Sequence, residues 1–76
     1  MNMAMGKVVA SDPKVLFGVP VFKGTRVPAE ALFDYLEAGD TLDDFLRDFP
    51  AVHRDTAVNA LRGAGQTLVE RELAGR

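Results

Sequence analysis

Two amphipathic helical patterns, separated by only a few residues, dominate the middle of this chain. Ala29, Leu32, Phe33 and Leu36 recur at i, i+3, i+4 and i+7, the spacing that puts side chains on one face of an α-helix. Leu42, Phe45, Leu46 and Phe49 repeat the arrangement. Pro28 suits the first turn of the first helix and Gly39 the position just past its end. Thr41 can cap the second helix, Asp43 and Asp44 fall in its first turn where the helix dipole favours anions, and Pro50 ends it. With only two turns, that helix must be held by tertiary packing. A third pattern starts near His53-Arg54-Asp55 and runs through Ala57, Val58, Leu61, Ala64 and Leu68 toward Leu73. Gly63 and Gly65 lie inside it, each costing about 1 kcal/mol relative to Ala, and predict a kink or a close backbone approach.

Ahead of the helices the signals are β-like and short. Lys7-Val8-Val9-Ala10 predicts a strand, ended by the turn-forming Ser11-Asp12-Pro13. Lys14-Val15-Leu16-Phe17 predicts one helical turn, with Gly18 as its left-handed stop. Val21-Phe22 and Thr25-Arg26-Val27 are β-prone and separated by Lys23-Gly24, so a tight hairpin and a kinked strand both fit. The expected fold is mainly α. It is one domain over residues 1–76, with a β arm at 7–27 and a three-helix unit at 28–76 that is compatible with a helix-turn-helix arrangement.

Seventy-six residues without a cysteine make a small core with neither a disulfide nor a cysteine-rich zinc site to support it. A homodimer or a larger partner is therefore expected. The absence of Cys fits a reducing compartment. The start MNMAMGKVVA does not resemble a secretory signal, and no apolar run approaches the ~18 residues of a membrane span. A soluble cytoplasmic protein with no membrane partner is the expectation. Charge is uneven: residues 30–48 carry Glu30, Asp34, Glu37, Asp40, Asp43, Asp44 and Asp48 against Arg47, whereas both flanks are net basic. The middle would repel nucleic acid, and the flanks can attract it.

The stretch P-V-F-K-G-T-R-V-P (Pro20–Pro28) has glycine and lysine in the wrong order for a phosphate loop, because Lys23 precedes Gly24. A structural turn, with Gly24 at positive φ, is the expected reading. Nucleophilic catalysis would have to draw on one Ser (Ser11) and one His (His53), and His53 reads as a helix-entry residue. The carboxylates of the middle are accounted for by a polar helix stripe and by first-turn electrostatics. No enzyme activity, metal or cofactor is expected. If the third helix reads DNA, its outward candidates are Arg54, Asn59 and Arg62, with Gln66 further along, since Arg matches guanine edges and Asn or Gln adenine edges. Lys23 and Arg26 are candidates for phosphate contacts. Leu68, Val69 and Leu73 exceed what a three-helix core requires, and are candidates for a dimer or partner interface.

The order S-D-P-K-V-L-F-G-V-P-V-F-K-G-T-R-V-P, followed after one short helix by A-G-D-T-L-D-D-F-L-R-D-F-P, resembles the family called domain of unknown function 433 over about residues 8–62. Phe17 and Val19 stand where that family usually has a glycine and a lysine. The third helix also departs from the family's usual opening, with His53 and Asp55-Thr56 in place of a Thr and a Glu-Asp pair. The resemblance implies a homeodomain-like helix-turn-helix with an N-terminal β element. It further implies a VapB-like antitoxin that binds a PIN-like ribonuclease toxin, dimerises, and represses its operon by binding operator DNA. The alternative is a stand-alone helix-turn-helix transcriptional regulator.

Overall fold

The computed structural model describes residues 8–75. Two short strands, β1 (Val9–Ala10) and β2 (Val21–Phe22), precede α1 (Glu30–Glu37), α2 (Leu42–Asp48) and α3 (Arg54–Ala74). The molecule is mainly helical, with a short antiparallel β-hairpin at the N-terminal end of the described chain. The hairpin pairs Val9 with Phe22 and Ala10 with Val21, and the Lys23 amide extends the ladder by donating to the Val8 carbonyl at 2.8 Å. Lys7, the predicted first strand residue, lies outside the described residues.

Neither the tight hairpin nor the kinked strand expected within 21–27 forms as such. The Thr25 amide donates to the Phe22 carbonyl at 2.9 Å, closing a turn in which Gly24 has φ +81°. That is the type II pattern, whereas two-residue hairpins use the mirror-image turns whose twist matches the strands. The loop therefore widens to Lys23–Arg26, and the returning chain makes a single bridge, Val21 with Pro28. Thr25 holds the widened loop: its hydroxyl donates to the Phe22 carbonyl at 2.8 Å and accepts from the Val27 amide at 3.0 Å.

The predicted right-handed turn at 14–17 is also corrected. Leu16, Phe17 and Gly18 form a 3-10 turn of left-handed sense, with φ of 48°, 57° and 86°. Asp12 starts the reversal, accepting from the Lys14 amide on its carboxylate and from the Val15 amide on its carbonyl. The Ser11 hydroxyl donates to the Gly18 carbonyl and closes it. Left-handed backbone costs non-glycine residues about 1–2 kcal/mol each. Phe17 occupies a position where a glycine would carry no such strain.

Phe22, Leu32 and Phe45 are fully buried, and with Ala29, Val52, Ala57 and Ala60 they form the core. Each element contributes through the face its periodicity defines: Leu32 from α1, Phe45 from α2, Ala57 and Ala60 from α3. Phe33, expected on the buried face of α1, is only half-buried. Tyr35 joins the core edge instead, its ring set edge-on to Phe45 at 5.5 Å and to Phe49 at 5.7 Å. Its hydroxyl donates to Asp48 Oδ2 at 2.6 Å, linking α1 to the end of α2. At the start of α2 the Thr41 hydroxyl accepts from the Asp44 amide, while the Asp44 carboxylate accepts from the Thr41 amide. This reciprocal capping box satisfies two amides that the first helical turn leaves unpaired.

The kink expected at Gly63 and Gly65 does not occur, and α3 is one continuous helix of 21 residues. Nor does another part of the described chain approach them, since a Cβ at either position would meet nothing within 4 Å. Backbone hydrogen bonds along the helix outweigh two isolated glycine penalties. The buried residues of α3 are Ala57 and Ala60, both in its first half, and every described residue from Ala64 onward is exposed.

Candidate functional site

The residues predicted to face outward from α3 do gather, but among acids. Arg54, Asn59 and Arg62 line a shallow groove of about 390 Å³ together with Val58 and Asp55. Arg54, Val58 and Arg62 form one i, i+4 row, and Asp55 and Asn59 form the row beside it. Arg54 forms an ion pair with Asp43, which the capped first turn of α2 presents toward the start of α3. Its guanidinium is thus already engaged, and both Asp43 and Asp55 set negative charge where phosphates would come. Lys23 and Arg26 are exposed on the loop after β2 and do not line this groove.

Among the described residues, three groups titrate away from their ordinary values, and contacts at the two ends of α2 account for them. The Asp44 carboxyl is held below the usual carboxylate range, chiefly by the Thr41 amide and then by Arg47. Arg47 is raised in return by its ion pair with Asp44. The Tyr35 phenol is raised because its proton is committed to Asp48.

The apolar end of α3 provides a different kind of surface. Leu68, Val69 and Leu73 are 70%, 58% and 63% exposed. A second groove of about 410 Å³ follows the same helix, lined by Leu61, Arg62, Gly65, Gln66, Val69 and Glu70. Gly65 contributes no side chain to it, and a Cβ there would meet nothing within 4 Å. A further apolar point was missed from the sequence as a surface feature: Phe17 is 99% exposed at the crest of the left-handed turn. The one signal for it in the sequence was the departure from the family pattern, which usually has a glycine where Phe17 stands.

Residues 9–62 match the family described as protein of unknown function (DUF433). The chain belongs to the DUF433 family. A crystal structure of a DUF433 member from Anabaena variabilis ATCC 29413 superposes with a TM-score of 0.68 at 22% sequence identity, covering 95% of this chain and 73% of that one. At that identity the likeness establishes the fold alone. Among curated proteins no match was found. The family match stops at Arg62, so the exposed half of α3 lies beyond what it covers. In the described residues no helix is long and apolar enough to cross a membrane.

Proposed function

We propose that this DUF433 protein is a VapB-like antitoxin that neutralises a PIN-like ribonuclease toxin by direct binding, without chemistry of its own. One observation carries the reading: the last three turns of α3 leave the core with Leu68 and Leu73 bare. An exposed helix end carrying apolar side chains can set them into a partner's groove. The thin core argues the same way, because so small a domain gains stability by burying surface on a partner. The order of the sequence motifs resembles a family many of whose members are understood as antitoxins encoded beside such toxins, which supports a partner of that kind. The cytoplasm is where such a pair would act.

Co-expression with the neighbouring open reading frame tests this. The neighbour should be toxic alone and harmless with this protein, and the two should co-purify. Leu68→Glu with Leu73→Glu should abolish rescue while leaving the helical circular dichroism unchanged. A neighbour that is harmless alone, or rescue that survives both substitutions, rejects the reading.

A second reading takes α2 and α3 as a homeodomain-like helix-turn-helix, either repressing the shared operon or acting as a stand-alone regulator. The observation favouring it is the alignment of Arg54, Asn59 and Arg62 in one groove, with Lys23 and Arg26 as phosphate contacts. Binding to the protein's own upstream DNA should then weaken with salt and with Asn59→Ala. Absence of a shift at low salt removes it.

A further inference from the structure

The groove on the exposed half of α3 is bounded by two i, i+4 rows. One is Leu61, Gly65 and Val69; the other is Arg62, Gln66 and Glu70. The first row is apolar with a glycine at its centre. The second has a cation at one end, an amide at its centre and an anion at the other end. Neither Arg62 nor Glu70 has an ion-pair partner among the described residues.

Such a surface is complementary to itself when reversed. If a second α3 runs antiparallel about an axis passing between Gly65 and Gln66, Arg62 meets the other copy's Glu70 twice, Gln66 meets Gln66, and Leu61 meets Val69 twice. In a two-fold contact every pairing occurs in duplicate, so the charges match without any further residue. A parallel pair would instead set Arg62 against Arg62 and Glu70 against Glu70. Packing of i, i+4 ridges against each other is a common helix-crossing geometry, and a glycine at the crossing lets the backbones come close. The body of the domain sits on the Ala57 and Ala60 side of α3; Leu61, at one end of the groove, packs partly against it, while Gly65, Gln66, Val69 and Glu70 are exposed.

We propose that the groove is the isologous interface of a homodimer, occupied by α3 of a second copy in antiparallel orientation. Arg62 then serves the dimer and not a DNA base. Leu68 lies on the row that continues the core stripe and stays free for a different partner. The proposal stands independently of the antitoxin reading, because it is tested with this chain alone.

Sedimentation equilibrium of the full chain, over a range of concentrations, gives the test. The wild type should dimerise. Arg62→Glu and Glu70→Arg should each raise the dimer dissociation constant on the order of ten-fold, since each turns two attractive contacts into two repulsive ones. The combined R62E/E70R variant should return to within about three-fold of wild type, because the pairs reform with reversed sign. Helical circular dichroism of each variant separates dissociation from unfolding. A wild type that stays monomeric, single variants that dimerise normally, or a combined variant no better than the singles would each overturn the proposal.

Discussion

At Gly24 the backbone has φ +81°, and a Cβ there would meet nothing within 4 Å. The cost of any side chain at this position is therefore conformational and not steric. Gly24→Ala should lower stability by about 1–2 kcal/mol, measured by denaturant unfolding. Phe17 is the converse case, a fully exposed aromatic whose φ of 57° suits glycine. Phe17→Gly should relieve about 1–2 kcal/mol of strain, offset by about 0.5–1 kcal/mol of extra chain entropy. The variant should be as stable as wild type or slightly more so, whereas Phe17→Val, β-branched at positive φ, should be less stable. A clear loss of stability in Phe17→Gly would mean that the ring makes a stabilising contact within the fold. The same two positions mark how far sequence reasoning reached. Gly24 was legible because glycine between β-prone residues has a narrow set of uses. The left-handed turn at Leu16 and Phe17 was not, because these side chains favour the right-handed region and the reversal is imposed by Asp12, Ser11 and Gly18 together.

Among the elements, α2 depends most on local chemistry. Seven residues are too few to hold a helix unaided, and its start is secured by the Thr41–Asp44 capping box. Thr41→Ala should cost about 1 kcal/mol in denaturant unfolding at neutral pH. Acid should weaken the same cap. The Asp44 carboxyl titrates lower when folded than when unfolded, so between those two values the unfolded chain binds the extra proton. The stabilisation is complete above the ordinary carboxylate value of about 4 and is lost as pH falls through the lower folded value. Asp44→Asn should therefore melt below wild type at pH 7, with the gap in Tm closing as pH falls below the ordinary carboxylate range. A gap independent of pH would mean that the carboxylate charge contributes nothing to the cap. The helices α1 and α2 were readable because their apolar spacing, caps and stops all agree. Pairing of β1 with β2 was not readable: Val9 and Phe22 meet across a long reversal, and two-residue strands carry almost no periodic signal.

Over the whole molecule, stability should be divided unevenly along α3. Its first half is anchored through Ala57 and Ala60 beneath Phe22, Phe45 and Val52, while the described residues from Ala64 onward are exposed and contribute none of the buried core. The sequence could place Leu68, Val69 and Leu73 on a helix, but not how far that helix would run past the core. That distance depends on where α1 and α2 stop covering it, a tertiary fact. Amides fray readily where a helix lacks packing, and glycines at 63 and 65 weaken that half further. In hydrogen exchange on dilute protein, the amides of residues 66–74 should exchange orders of magnitude faster than those of residues 57–61. Raising the concentration until α3 pairs with a second copy should slow exchange in 66–74 and leave the core rates unchanged. Adding a toxin partner should slow it further, through Leu68, which the paired helices leave free. If residues 66–74 are already as protected as the core in dilute monomer, the free helix end is held by contacts within the chain. Neither dimerisation nor partner capture would then be needed to order it.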